Sequence, residues 1–121
     1  KAVDATPENL RAAAQADLRY ARASAIHFQS VANQTRFVMM RDALQTGASV
    51  LPMDERARMT RHLEGNIESE VALAKELFAL TREDSRIGFE PSCQYFYLPL
   101  DLVEKVINCQ WLLDAQDEWA R

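Results

Sequence analysis

The stretch from Thr6 to Gly47 decides the fold; it reads TPENLRAAAQADLRYARASAIHFQSVANQTRFVMMRDALQTG. Between Pro7 and Gly47 it has neither glycine nor proline, and apolar residues recur at helical spacing. Thr6 can cap free N–H groups, Pro7 suits the first helical position, and Gly47 suits the end of a helix. The pattern predicts one helix of about 40 residues and roughly 55–60 Å. Its predicted buried stripe is Leu10, Leu18, Ala21, Ala25, Phe28, Ala32 and Met39.

A second helix is predicted from Asp54, which can cap it, to about Arg82. The short linker 46–53 makes the two helices antiparallel neighbours. Gly65 lies inside the second helix and predicts a close approach to the alanines of the first. The predicted buried stripe is Met59, Leu63, Ile67, Val71, Ala74 and Phe78, widened by Leu73, Leu77 and Leu80, whereas Glu64, Glu68 and Glu70 are predicted to form a solvated face.

The third helix is predicted to start near Pro99 or Asp101, because proline suits the first position and Asp101 with Glu104 has the spacing of a capping box. It is apolar on more than half of its circumference and therefore needs partners on two sides. One side carries Leu100, Val103, Ile107 and Trp111, and the other carries Leu102, Val106, Cys109 and Leu113. The fold class predicted is all-α: one domain, residues 1–121, with a long antiparallel helical hairpin and a third helix that completes an elongated bundle. No β-strand is predicted, because the aromatic run 93–98 has no evident partner.

Composition narrows the function classes. The 121 residues carry a net charge of −4, which argues against a nucleic-acid partner that needs a basic face. No run approaches about 20 apolar residues, so no membrane span is predicted. The chain begins at Lys1 rather than Met, and we expect an excised C-terminal piece of a larger protein. Cys93 and Cys109 match no zinc pattern; small buried side chains are favoured, and a disulfide between them stays open.

No known catalytic or metal-binding motif is found in the sequence. His27 and His62 lack the Glu-x-x-His context of a di-metal bundle, and no phosphate loop, nucleophile elbow or His-Glu-x-x-His motif is present. We therefore predict no catalytic residue, no metal site and no cofactor.

The connector, residues 86–98, is unlike an ordinary polar loop, since it holds four of the ten aromatic residues of the chain. Burying an aromatic ring contributes about 2–3 kcal/mol, so the connector should pack on something. It can plug the end of the core, contact another domain or subunit, or bind a sugar through Arg86, Glu90, Tyr95 and Tyr97. The candidate interface or ligand residues are Arg86, Phe89, Glu90, Tyr95, Phe96, Tyr97 and Trp111.

Three segments carry a resemblance: 82–90 (REDSRIGFE), 95–109 (YFYLPLDLVEKVINC) and 37–47 (FVMMRDALQTG). They resemble the C-terminal helical region of large bacterial glycoside-hydrolase-like proteins. The resemblance implies a helical accessory domain whose partner is the preceding domain of the parent protein, where the catalytic carboxylates would lie. It transfers no catalytic residue here, and it implies an exported, periplasmic or extracellular parent that handles carbohydrate.

From this we expect a non-catalytic accessory domain that docks through its aromatic connector, with carbohydrate as a further candidate partner. The alternative is a self-associating helical module with no carbohydrate role, in which two copies cover each other's apolar faces.

Overall fold

The computed structural model describes residues 3–47, 51–90 and 95–115. Within these ranges lie three α-helices, which we number α1 (Arg11–Thr46), α2 (Met53–Glu83) and α3 (Pro99–Asp114). A 3₁₀ turn, Glu8–Leu10, precedes α1, and two short strands, β1 (Phe89–Glu90) and β2 (Tyr95–Phe96), lie between α2 and α3. The predicted all-α bundle is confirmed.

The predicted end of α1 is correct, whereas the predicted N-terminal caps of α1 and α2 are not. Gly47 ends α1, and its N–H donates to the carbonyl of Ala43 at 2.9 Å. At the start, however, Pro7 lies before the 3₁₀ turn, so α1 itself begins only at Arg11. Similarly, α2 begins after Pro52 rather than at a capping Asp54.

The helix α2 packs against both α1 and α3. Leu102, near the start of α3, joins residues from the last turns of α2, whereas the end of α3 lies beside the middle of α2. The helix α3 therefore runs antiparallel to α2 and parallel to α1. Two apolar clusters form the core: one contains Ile26, Ala74, Leu77, Leu80, Ile87 and Leu102, and the other contains Leu44, Leu63 and Ile67.

The predicted buried stripe of α1 is wrong. Phe28 and Met39 are 71% and 67% exposed, and Leu10, Leu18, Ala21 and Ala25 also face outward. The buried residues of α1 are Ile26, Ser30, Asn33 and Leu44. A search for apolar periodicity misses this face, because two of its central positions are polar and pair with buried groups on the other helices.

Two expectations for α2 are also wrong, although Leu63, Ile67, Ala74, Leu77 and Leu80 are buried as predicted. Gly65 is exposed, and a Cβ atom there would meet nothing within 4 Å, so no close helix approach requires it. Glu70 was expected on a solvated face but is only 6% exposed, because donors on α1 and α3 surround its carboxylate.

The connector contains a strand pair, contrary to the prediction. Phe89 pairs antiparallel with Phe96, so the partner of the aromatic run lies within the connector itself. Just before β1, Gly88 has a φ of 87° and accepts a 2.8 Å hydrogen bond from the N–H of Tyr97. A Cβ on Gly88 would lie 2.8 Å from the Tyr97 carbonyl oxygen, so only glycine fits.

The helix α3 begins at Pro99, one of the two predicted starts. Asp101 still takes part in the cap, since its carboxylate accepts a 3.0 Å hydrogen bond from the N–H of Leu98. Pro99 and Asp101 together fix the direction in which the chain passes from the connector into α3.

Candidate docking surface

One face of α3 is apolar and open to solvent. Leu100, Ile107 and Trp111 are 75%, 61% and 64% exposed, and Val103 lies between them. These positions are three or four residues apart, so they share one side of the helix over roughly 16 Å. Leu102, on the other side, is fully buried against α2. We call the exposed side the α3 face; the sequence predicts two apolar sides of this helix without assigning either to the hairpin, and the structure shows that the side with Leu102 is buried.

An apolar groove of about 230 Å³ adjoins the α3 face, between α2 and α3. Val103 and Ile107 belong both to the face and to the groove, while Phe78 and Ala74 form the α2 side. The exposed surface is therefore concave along one edge, which suits the insertion of side chains from a partner better than a flat face does.

A buried polar network joins the three helices between the two apolar clusters. The Glu70 carboxylate accepts hydrogen bonds of 2.8 Å from the Ser30 hydroxyl and 2.8 Å from the Asn33 amide. Lys105 Nζ lies 2.5 Å from the same carboxylate and donates to the Ser30 hydroxyl at 2.8 Å. Asn66 donates to the Asn33 carbonyl at 2.7 Å. The network fixes the positions of the helices relative to one another, because each helix supplies a partner that the others need.

Sequence reasoning missed this network, although a signal for it exists. Ser30 and Asn33 are three residues apart and share a side of α1 with Ile26. Asn66 and Glu70 are four apart on the same side of α2 as Ile67. When polar residues recur at helical spacing on the same side as buried apolar residues, they indicate hydrogen-bonded polar pairs inside a bundle.

A second groove, of about 300 Å³, lies beside the network, between α1 and α3. Phe37, Val38 and Leu112 line it together with Cys109. Burial raises the pKa of the Cys109 thiol, and the Glu70 carboxylate adds to the shift although Lys105 opposes it. The thiol is thus held protonated at neutral pH, which does not suit a nucleophile. Cys93 lies outside the described residues, so a disulfide between Cys93 and Cys109 stays open.

Arg86, a predicted ligand residue, is already bound within the chain. Its guanidinium donates to both carboxylate oxygens of Asp84, at 2.9 and 2.7 Å, and its backbone N–H donates at 3.1 Å. The Tyr20 hydroxyl also donates to Asp84, at 3.3 Å, and Arg86 lies over the Tyr20 ring. These donors, Arg86 above all, hold the pKa of Asp84 well below its usual range. The pair fastens the start of the connector to α1.

Tyr97 fastens the other end of the connector to α1. Its hydroxyl is hydrogen-bonded to His27 Nδ1 at 3.1 Å, the two rings meet edge to face, and Tyr97 packs on the core cluster around Leu102. This one ring therefore plugs the end of the core, whereas the interpretation of the whole connector as a plug stays a prediction. For the hairpin the structure describes the backbone only: the side chains of Phe89, Glu90, Tyr95 and Phe96 lie outside the description.

The three predicted site residues whose side chains the structure describes, Arg86, Tyr97 and Trp111, do not form one cluster. Arg86 and Tyr97 lie at the end of the bundle where α3 begins. Trp111 lies near the other end of α3, roughly 20 Å further along the helix axis. Trp111 instead belongs to the α3 face, together with Ile107 and Leu100.

Within the described ranges, no group of three or more histidine, cysteine, aspartate or glutamate side chains is placed to hold a metal ion. No helix in the described part of the chain is both long enough and apolar enough to cross a bilayer.

Comparison with known proteins gave no match, whether with family models, with curated proteins or with solved structures.

Proposed function

We propose that this chain is a helical docking module, which attaches through the α3 face and the adjoining connector to a neighbouring domain of a carbohydrate-active protein. The observation that supports docking is the exposure of Leu100, Ile107 and Trp111 side by side on one helix. Contiguous apolar surface of this kind on a folded protein marks an interaction site.

The α3 face has the features of an interface centre. A tryptophan is among the residue types that most often dominate binding energy, and Trp111 has aliphatic neighbours that would exclude water around it. The buried side of α3 is held by Leu102 and by the Lys105 ion pair, so the face is presented on a fixed helix. Little ordering is therefore needed when a partner binds, which favours affinity.

The connector extends this surface toward the N-terminal end of α3. Its two ends are fixed to α1 by Arg86 and Tyr97 through the contacts described above, and Leu98 is exposed next to the α3 face. In the proposal, the aromatic residues of the hairpin contribute to the same docking surface.

The carbohydrate part of the proposal rests on the resemblance of residues 82–90, 95–109 and 37–47 to glycoside-hydrolase-like proteins. In such a protein the preceding domain would carry the catalytic carboxylates, and this chain would support that domain without acting on the sugar. An exported parent follows from the same resemblance.

Trp111 fluorescence tests docking in the parent protein. With Trp119 replaced by phenylalanine, Trp111 is the one tryptophan that this chain contributes, and its signal in the joined protein is the difference from a Trp111→Phe control. We expect emission typical of an exposed indole in the separate chain and a blue shift when the chain is joined to its neighbouring domain. Ile107→Glu should abolish the shift, whereas Met53→Glu, at an 84% exposed position on α2, should not. An unshifted emission in the parent contradicts docking.

Hydrolysis of a polysaccharide panel by the parent tests the carbohydrate part separately. Cleavage of glycosidic bonds that weakens in Ile107→Glu supports both parts of the proposal. Docking without cleavage of any glycan contradicts the carbohydrate part and leaves a docking module of another kind of protein.

A further inference from the structure

The helix α1 carries a second apolar stripe, on the side that faces away from α2. Its members alternate in spacing between four and three residues, which is the heptad pattern of a coiled coil. The stripe spans roughly 37 Å at about 1.5 Å per residue. It consists of Ala14, Leu18, Ala21, Ala25, Phe28, Ala32, Thr35 and Met39, and we call it the outer seam.

The outer seam is separate from the surface that holds the bundle together. The buried side of α1, marked by Ile26, Ser30 and Asn33, is centred roughly 140° around the helix from the seam at about 100° per residue. The seam therefore lies on a different side of α1 from the residues that pack on the other two helices. Thr35 is the seam's polar member, and its hydroxyl donates to the Val31 carbonyl at 2.9 Å, so its O–H needs no acceptor across an interface.

The sizes of the side chains in the seam are complementary to the same seam run in the opposite direction. When Phe28 is placed opposite Ala25 of a second copy, the register of every other layer is fixed. Met39 then faces Ala14, and Leu18 faces Thr35. Each large side chain meets a small one, and the layer of Ala21 with Ala32 lets the two helices approach closely.

The charges at the two ends of the seam agree with this register. Arg11 and Asp42 continue the same spacing beyond Ala14 and Met39, and the antiparallel register places Arg11 of each copy opposite Asp42 of the other. In the single chain, Arg11 donates to the Thr6 carbonyl at 3.2 Å and Asp42 pairs with Arg41. Both contacts lie at the surface, where they contribute little, so a change of partner costs little. A parallel pair would instead set Arg11 against Arg11 and Phe28 against Phe28.

We infer that α1 pairs in antiparallel fashion with α1 of a second copy, through the outer seam and in this register. The resulting homodimer has a two-fold axis near the middle of the seam, between Ala25 and Phe28. The remaining helices of each copy lie outside the helix pair, and the α3 face takes no part in the contact.

Analytical ultracentrifugation of the chain from micromolar to millimolar concentration tests the dimer. We expect a monomer–dimer equilibrium that Phe28→Glu shifts by at least tenfold toward monomer, with unchanged helical circular dichroism because Phe28 is largely exposed. The matched control, Ile107→Glu, removes an apolar residue from α3 that is 61% exposed, against 71% for Phe28, and should leave the equilibrium unchanged. A chain that stays monomeric at every concentration refutes the inference, and so does a dimer that dissociates with Ile107→Glu but not with Phe28→Glu.

Disulfide trapping tests the register. With both native cysteines replaced by serine, Ala21→Cys mixed with Ala32→Cys should form a mixed disulfide dimer, while each variant alone should not cross-link efficiently. Cross-linking of Ala21→Cys with itself indicates a parallel pair and contradicts the inferred register. Asp42→Arg should weaken the dimer, and the exchanged pair Arg11→Asp with Asp42→Arg should restore it; a failure to restore it also counts against this register.

Discussion

Lys105→Met removes the cation of the buried network and should destabilise the bundle by about 2–3 kcal/mol. Hydrogen bonds to charged groups contribute about 1.5–3 kcal/mol, and breaking a fully buried ion pair costs about 3–5 kcal/mol. The lower part of this combined range applies because the Lys105 side chain keeps a quarter of its surface exposed, whereas Glu70 is nearly all buried. Glu70 keeps its donors Ser30 and Asn33 but loses its counter-charge.

The companion variant Glu70→Gln distinguishes two causes of the destabilisation by Lys105→Met. One is a buried carboxylate without a counter-charge, and the other is lost packing of the lysine side chain. Glutamine keeps an oxygen for Asn33 but carries no charge, so Lys105→Met should cost about 1–2 kcal/mol less when Glu70→Gln is already present. Urea unfolding followed by circular dichroism measures each free energy of unfolding. Thermal unfolding should show a fall of about 10 °C for Lys105→Met alone, since 1 kcal/mol corresponds to about 4 °C at this chain length.

Lys75→Met is the matched control, because Lys75 is exposed on α2 and should change stability by less than about 0.5 kcal/mol. The reasoning about a stranded carboxylate is refuted if Lys105→Met costs no more than this control. It is also refuted if the effects of Lys105→Met and Glu70→Gln simply add.

Three further predictions concern the glycines, the connector ion pair and the thiol. Gly65→Ala should stabilise the protein by about 0.5–1 kcal/mol, because the added Cβ meets nothing; Gly88→Ala should destabilise it by about 1–3 kcal/mol, because of the positive φ and the close carbonyl. Both are measured by urea unfolding, and equal effects of the two changes would contradict the structure. Since Arg86 lowers the pKa of Asp84 in the folded state, this carboxylate stabilises the protein above its ordinary pKa near 4 and loses that contribution as the pH falls further. The difference in unfolding free energy between wild type and Asp84→Asn should therefore be largest at neutral pH and narrow below about pH 4; a difference independent of pH would contradict this. Burial and a raised pKa should make Cys109 react with iodoacetamide much more slowly than in urea, and equal rates would show an accessible thiolate.

The existence of the three helices is predictable from the sequence, because their helical spacing is unbroken and glycine or proline marks some of their ends. Gly47 ends α1, and Pro99 begins α3, at the residues where these types fit best. The wide apolar circumference of α3 likewise predicts that two of its sides need partners, but not which side the hairpin covers. Both inferences need only local chemistry and helical spacing.

The orientation of α1 is not predictable in this way, because the choice depends on groups far away in the sequence. Ser30 and Asn33 are buried since Glu70 and Lys105 meet them, 40 and 75 residues further along from Ser30. Apolar spacing alone selects the stripe with Phe28 instead, which the fold leaves exposed. Likewise the two-residue strands of the connector are too short for an alternating pattern to reveal.

The functional role assigned to Arg86 shows the same limit at short range. A guanidinium near aromatic residues suits a sugar, but the carboxylate of Asp84, two residues earlier, already accepts its hydrogen bonds. When a basic and an acidic residue lie within a few positions in the sequence, an ion pair between them should therefore be considered before a ligand is assigned to one of them.

The central position of Glu70 governs how the molecule can open. If α1 separates from α2 while the rest stays folded, the Glu70 carboxylate loses its hydrogen-bond donors Ser30 and Asn33. If α3 separates instead, the same carboxylate loses the positive charge of Lys105. Such partly opened forms are penalised, so backbone amides on all three helices near Glu70 should exchange with deuterated solvent through a single shared opening. The bundle would then unfold as one cooperative unit around Glu70. A protease would cleave this part of the chain only from the form in which all three helices have opened there.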